Sequence, residues 1–361
     1  MLLLLSAIAS FLTTIIAMPF TIIFARKFKL LDNPKIRLHP AHTQKRIVPR
    51  AGGLACFIGI IFAILTFTPL DKHAIGISIA LLILLLVGLA DDRYKNLSPY
   101  FRLIGQFSAA LIAVGSGIGV QFITNPLGGI FYLDSLIIQL NILGIHHIVL
   151  LSDILAIIWI VWVMNMINWS KGVDGQMPGI VTITALILGV LSLKLSLSSD
   201  PNQINVAKLS FITAGSSLGL LIFNWYPAKI FPGFSGSTIL GFMIAVLAIL
   251  SGAKLATAIF TLIIPATDFA YTFLRRILQG KSPVWGDRGH LHHKLLEIGL
   301  THQQISLFYI LVSVILGAIS LSLSSSGKLF AAILVTIVTL GGILWLSFFG
   351  EFLRRRAPDN G

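Results

Sequence analysis

Long apolar runs alternate with short polar intervals along the chain, and the runs exceed what a soluble core uses. A bilayer's hydrocarbon, about 30 Å thick, takes roughly 18–20 consecutive apolar residues in a helix. Runs of about that length lie near 2–25, 51–70, 74–90, 101–123, 147–168, 176–198, 206–224, 236–252, 254–277, 304–323 and 328–349. In hydrocarbon each must be helical, because a helix satisfies its own amides and carbonyls within one segment. The pattern predicts an all-α, polytopic integral membrane protein with about 10–11 transmembrane helices. The longest polar intervals, near 26–50 and 278–303, are loop-sized, so residues 1–361 read as a single integral-membrane domain.

The first run, "MLLLLSAIASFLTTIIAMPFTIIFARKFK", carries its positive charges after the apolar stretch, with no small-residue cleavage site before them. It reads as a retained first span, not a secretory signal. The expected topology has the N-terminus outside and the C-terminus cytoplasmic. With that parity, 21 of the 26 lysines and arginines fall on the cytoplasmic side and 5 on the other. A missed or invented span would scramble so strong a positive-inside split. The net charge of +13 thus gathers on one membrane face, where it attracts anionic lipid headgroups. Its spread over separate loops of a membrane protein argues against nucleic acid as a partner. The single cysteine, Cys56, lies in a predicted span, which excludes an intramolecular disulfide and a cysteine metal cluster.

Composition sharpens the outline. With 56% of residues hydrophobic and only 11% charged, a polar cluster is rare enough to read as chemistry. Asp91-Asp92 ends the third span in "GLADDRYKNLSPYFRLIGQ", and "NMINWSKGVDGQMPG" (165–179) ends the fifth. "FNWYPAKIFPGFSGSTILG" (223–241) joins the seventh span to the eighth, and "GDRGHLHHKL" (286–295) lies between the ninth and tenth. All four fall on the cytoplasmic side, so the expected active-site loops lie near 26–50, 91–100, 169–175, 225–236 and 278–303. One-sided clustering suits an enzyme that draws a cytoplasmic substrate to the membrane. An alternating-access transporter places its site near mid-membrane, in broken helices.

Each cluster admits two readings. Adjacent carboxylates at a helix end can be solvated, or can split their pKa values in a partly dry site, one as metal ligand and one as general base. His290, His292 and His293 are zinc ligands or, flanked by Arg288 and Lys294, a cradle for phosphate oxygens. Missing cysteines and few nearby carboxylates weigh against zinc. Asn165 and Asn168 share one helical face, where they bind Mg²⁺ or a sugar, or make helix-packing hydrogen bonds.

In order along the chain, these residues resemble the polyprenyl-phosphate N-acetylhexosamine-1-phosphate transferases. That integral-membrane family also contains the phospho-MurNAc-pentapeptide transferase of peptidoglycan synthesis. The resemblance rests on "IVPRAGGLA" (47–55), Asp91-Asp92 with "SPYFRLIGQ", the Asn-x-x-Asn…Asp-Gly segment of 165–175, "PAKIF" (227–231) and "LRRILQGKSPVWGDRGHLHHKLLEIGL" (274–300). The His-Leu-His-His form is more similar to the branch that transfers GlcNAc-1-phosphate or related sugar phosphates than to the MurNAc-pentapeptide branch. The resemblance implies transfer of a HexNAc-1-phosphate from a UDP-sugar, typically UDP-GlcNAc, to undecaprenyl phosphate with release of UMP. That reaction begins a lipid-linked glycan, such as lipopolysaccharide, teichoic acid or another cell-wall polymer, at the bacterial cytoplasmic membrane. By the same resemblance Asp91 helps activate the lipid phosphate, Asp92 supports the metal or nucleotide, Asn168 ligates Mg²⁺ and Asp174 holds the nucleotide side. Arg288, His290, His292, His293 and Lys294 cradle the diphosphate, and Asn165 joins the substrate-binding set. A homodimer is the expected assembly.

Two positions depart from the family pattern. An aspartate that is a principal Mg²⁺ ligand in Phe-x-Gly-Asp-x-Gly-Ser corresponds to Phe234 in "FPGFSGS". The first aspartate of Asn-x-x-Asp-Gly-x-Asp-Gly corresponds to Lys171 in "NWSKGVDG". Two anions are gone and one cation has appeared, so Lys171 joins Asp91, Asp92 and Asp174 as a candidate catalytic residue, expected to take over part of the metal's electrostatic work. Two alternatives stay open: an impaired member that binds lipid phosphate or nucleotide sugar without turnover, and a lipid or sugar transporter.

Overall fold

The computed structural model describes residues 1–34, 46–94, 97–125, 128–133, 135–141, 145–252, 254–282 and 289–356, with backbone alone at 138–141, 145–148 and 350–356. Apart from one short helix at Leu291–Glu297, the helices fall on the predicted runs. They are α1 (Leu2–Lys27), α2 (Gly52–Phe67), α3 (Lys72–Arg93), α4 (Pro99–Gly115), α5 (Leu150–Trp169), α6 (Gln176–Ser198), α7 (Gln203–Asn224) and α8 (Gly233–Leu250). After them come α9 (Leu255–Thr261), α10 (Ile263–Leu278), the short α11 (Leu291–Glu297), α12 (His302–Ser320) and α13 (Ser325–Arg356). Among the described residues, 8 helices are long and apolar enough to cross a membrane, or 9 when α9 and α10 count as one bent span. The difference from eleven predicted runs lies in α2 and α4, of 16 and 17 residues.

Two local features depart from the periodicity. The fourth run was expected helical to 123, but the helix stops at Gly115, and Gly117 turns the chain at φ +95°. Glycine adopts that conformation without a Cβ clash. Beyond it, almost wholly in the interval between the fourth and fifth runs, lie two antiparallel hairpins, β3 (Phe122–Thr124) with β4 (Ile130–Tyr132) and β5 (Ile137–Asn141) with β6 (Ile145–Val149). They follow β1 (Leu31–Asp32) and β2 (Val48–Pro49), a small pair before α2. The ninth run breaks by 86° between α9 and α10. Pro265 has no N–H for the carbonyl of Thr261 one turn back, and Ser313 Oγ on α12 donates to that carbonyl at 3.1 Å instead.

Packing is inverted relative to a soluble protein. The buried positions of α1 are Ser6, Ser10, Thr14, Met18, Thr21 and Ala25, one stripe at helical spacing, while Ile16, Phe20 and Ile23 face outward. Lipid tails are as apolar as leucine, so helices in a bilayer associate through small and hydroxylated side chains. Thr14 Oγ1 donates to Ser216 Oγ on α7 at 3.1 Å. At the centre stands α8, 94% buried over its apolar length and packed by α5, α3, α2, α7 and α6. Its N-terminus anchors everything described next.

Candidate active site

Helix α8 begins at Gly233 with first-turn N–H groups that no preceding turn can accept. The end of α3 delivers the acceptor. Asp92 Oδ1 receives Phe234 N–H at 2.9 Å, and Asp92 Oδ2 receives the Ser235 hydroxyl at 2.9 Å and Ser235 N–H at 3.4 Å. A carboxylate at a helix N-terminus also complements the macrodipole. The approach requires glycine at 233, where φ is +73° and a Cβ would run into the Asp92 carboxylate. Asp91 and Asp92 are both buried, at 2% and 3% exposure.

Fixed cations ring this pair. Arg50, just before α2, reaches Asp92 Oδ1 at 3.4 Å and Asp32 Oδ1 at 3.3 Å. Burial works against the Arg50 charge, but Asp92, Asp32 and Asp91 outweigh it and raise its pKa. Arg102 on α4 donates from Nε to Asp91 Oδ1 at 2.5 Å. Lys171, two residues beyond α5, donates from Nζ to Asn168 Oδ1 at 2.6 Å, Gly233 O at 3.1 Å and Ser237 Oγ at 3.3 Å. Burial, and Arg50 after it, lower the Lys171 ammonium to about 7 against the pull of Asp92 and Asp91. The Phe234 ring lies beneath two cations, its centroid 5.9 Å from Lys171 Nζ and 5.6 Å from Arg102 Cζ. An aromatic face attracts positive charge through its quadrupole. The position expected to lack an anion therefore still favours cations.

Asn168 and Asp92, the expected Mg²⁺ ligands, do not present a donor set that fits the ion. Asn168 Oδ1 accepts from Lys171 and, at 2.8 Å, from Ser237 Oγ. Both Asp92 oxygens accept from α8, and Arg50 adds a cation. Mg²⁺ demands near-octahedral oxygens, whereas these oxygens face N–H, O–H and ammonium donors. Among the described residues no group of three or more histidine, cysteine, aspartate or glutamate side chains is placed to hold a metal.

Asp174 and the loop 170–175 carry the site to the other side. Asp174 Oδ2 accepts Ala228 N–H at 2.9 Å and Arg46 Nη2 at 3.2 Å, which fixes "PAKIF" against the loop. Its backbone N–H donates to His302 Nδ1 at 3.3 Å. Gly175 N–H donates to Asn224 Oδ1 at 3.0 Å. Against Gly172 packs the imidazole of His292, leaving no room for a side chain there.

The histidines at the start of α11 form one cluster, His290 stacked on His292 at 5.4 Å and His293 tilted against His292 at 4.4 Å between ring centroids. Asp268 on α10 sets it. Its Oδ2 contacts His290 Nδ1 at 2.8 Å, and its Oδ1 accepts Leu291 N–H at 2.8 Å. Burial, followed by the charges of His293 and His290, holds the His292 pKa well below the usual value, so this imidazole is neutral. Lys294 is on the same helix. Arg288 lies outside the described residues.

The structure brings Asp91, Asp92, Asn168, Lys171, Asp174, His290, His292 and His293 to one end of the bundle. Asn165 does something else. Its amide donates to Gln106 Oε1 at 2.9 Å and Val161 O at 2.8 Å, the packing alternative. Sequence reasoning missed Arg50, Arg102, Asp268 and His302 as site residues. Asp268 had a visible signal, since a carboxylate inside an apolar run needs a partner. Arg102 stood in "SPYFRLIGQ", a stretch already singled out.

A sequence profile described as "Glycosyl transferase family 4" matches residues 74–252, which include Asp91, Asp92, Asn168, Lys171, Asp174 and Phe234. The chain is 29% identical over 358 residues to the "Probable undecaprenyl-phosphate N-acetylglucosaminyl 1-phosphate transferase" of Bacillus subtilis, covering 96% of this chain and 87% of that protein. It is 30% identical over 372 residues to the decaprenyl-phosphate N-acetylglucosaminephosphotransferase of Mycolicibacterium smegmatis, covering 94% and 85%. It is 29% identical over 368 residues to the undecaprenyl-phosphate alpha-N-acetylglucosaminyl 1-phosphate transferase of Pasteurella multocida, covering 97% and 90%.

Proposed function

The chain belongs to glycosyl transferase family 4, and on that premise we propose that it is a multi-pass membrane enzyme that transfers GlcNAc-1-phosphate from UDP-GlcNAc to undecaprenyl phosphate. The compartment is a bacterial cytoplasmic membrane, with the polar end of the bundle facing the cytoplasm. The observation that carries this reading is the convergence of five separated polar segments on one end of an apolar bundle. There two buried carboxylates, Asp91 and Asp92, meet the guanidiniums of Arg50 and Arg102 and the Lys171 amine, whose pKa is lowered to about 7. Cationic side chains gathered beside hydrocarbon suit a reaction between a soluble polyanion and a lipid phosphate.

In the proposed step an oxygen of the lipid phosphate attacks the β-phosphorus of the donor. A new phosphorus–oxygen bond forms as the bond from that phosphorus to the bridging oxygen breaks. UMP leaves with the electron pair, and the lipid keeps a pyrophosphoryl sugar. Arg50, Arg102 and Lys171 offset the repulsion between reactants and the charge growing on UMP. A phosphate monoester loses its second proton near pH 6, and Asp91 accepts what proton remains. Asp92 acts through α8, whose N-terminus it fixes. The clustered histidines and Lys294 line the donor side, and Asp174 holds the loop between the two halves. We propose a homodimer as the assembly, to be checked by the mass of the solubilised particle.

Purified protein incubated with sugar-labelled UDP-GlcNAc and undecaprenyl phosphate tests the reading. Label entering the lipid phase supports it. Donor that binds while all label stays aqueous marks an impaired member and overturns it.

A further inference from the structure

We infer that the Lys171 ammonium is this protein's built-in substitute for a divalent cation, so that the nucleotide-sugar pyrophosphate binds without a metal. The inference rests on the transferase reading and names how that site meets its anionic substrate.

Three observations carry it. The first is the coordination of Nζ. Its three oxygens come from different places, the Asn168 side chain at the end of α5, the Gly233 carbonyl, and the Ser237 hydroxyl in α8, at 2.6, 3.1 and 3.3 Å. These are hydrogen-bond lengths, and three neutral oxygens match the three donors of an ammonium. Mg²⁺ would need about 2.0–2.1 Å and would draw anionic oxygens.

The second observation is the charge around that oxygen set. Asp91 is engaged by Arg102, and Asp92 by Arg50 and the first turn of α8. Asp91 and Asp92 are each already paired with a guanidinium, Arg50 being shared with Asp32, so an incoming divalent ion would have to displace a cation to reach either carboxylate. The third is Phe234. Its ring supports Lys171 and Arg102 from below, which favours cations without supplying a charged ligand that would hold a metal.

Lys171 as a whole residue is partly buried. The longest of its contacts, to Ser237, is the one a phosphate oxygen would replace. Lysine serves as a compact point charge toward phosphate in this way.

The test is calorimetric titration of UDP-GlcNAc into the detergent-solubilised full chain, in excess EDTA and in Mg²⁺, with label transfer measured on the same samples. Wild-type affinity in EDTA should stay within about two-fold of that in Mg²⁺, and Lys171→Met should weaken it roughly ten- to a hundred-fold. The double substitution Lys171→Asp, Phe234→Asp should bind only with Mg²⁺. The wild-type comparison needs no variant and decides the matter if Lys171→Met fails to fold. Binding by wild type that requires Mg²⁺ overturns the inference, as does a folded Lys171→Met that binds like wild type. Binding in Mg²⁺ but not in EDTA, with transfer in Mg²⁺, overturns it while leaving the transferase reading intact. EDTA-resistant, Lys171-dependent binding with no transfer in either condition supports the inference and overturns the transferase reading.

Discussion

The Asp92 carboxylate accepts the backbone N–H of Phe234, 142 residues further along the chain, at 2.9 Å. That bond ties the end of α3 to the start of the most buried helix, so Asp92 is a structural anchor as well as a site residue. Asp92→Asn keeps the shape but removes the charge that Arg50 and the α8 first turn require. It should cost about 1–3 kcal/mol of stability along with transfer. Asp91→Asn, whose partner Arg102 is partly exposed, should lose transfer with a smaller fall in melting temperature. Thermal denaturation of both variants beside the transfer assay checks the contrast. Equal melting losses would contradict it.

Asp268 positions the donor-side histidines from α10. Asp268→Asn weakens the grip on His290 Nδ1 and the cap on Leu291 N–H. UDP-GlcNAc affinity should fall roughly three- to ten-fold, the size of one weakened hydrogen bond. The turnover of bound donor should stay near that of wild type. A loss confined to turnover, with affinity unchanged, would move Asp268 out of this role.

His292 makes a pH prediction with a definite sign. Its folded pKa lies well below 6.5, first through burial and then through His293 and His290. The unfolded chain takes up a proton near pH 6.5 that the folded chain refuses. The stability from this group is therefore complete above about pH 6.5 and is lost as pH falls toward the lowered value. Melting temperatures of wild type should drop as pH is taken from about 7.5 to 5.5, and His292→Gln should drop less. Superimposable pH profiles would show that His292 is not the buried neutral group described.

Much of this was visible in the residues. Apolar run lengths mark the helices, because hydrocarbon thickness leaves few alternatives. The four polar clusters read as one site because membrane parity puts them on one face. The partners were not readable. Asp92 pairs with a backbone amide of α8, which has no identity in a sequence, and Asn165 pairs with Gln106, the last residue of "SPYFRLIGQ", a stretch that says nothing of its partner. The hairpins at 122–149 lie almost wholly between the fourth and fifth runs, where strands this short leave no periodicity to read. The break at Pro265 was readable from proline chemistry and was passed over because the run as a whole was long enough to span.

Topology is the fourth expectation open to direct measurement. With the N-terminus outside, the loop before α4 is cytoplasmic. A cysteine placed at exposed Ser98 should resist a membrane-impermeant thiol reagent in intact cells and react after permeabilisation. Labelling in intact cells would invert the bundle and put the polar face on the wrong side for a nucleotide sugar.

The central claim is that the sugar moves together with its phosphate onto a polyprenyl phosphate. UDP-GlcNAc labelled with ³²P at the β-phosphorus and with tritium in the sugar, incubated with purified protein and undecaprenyl phosphate, tests it most directly. The account predicts both labels in the lipid product in equal amounts, with unlabelled UMP in the aqueous phase. Tritium in the lipid without ³²P, or both labels remaining with the nucleotide, would contradict it.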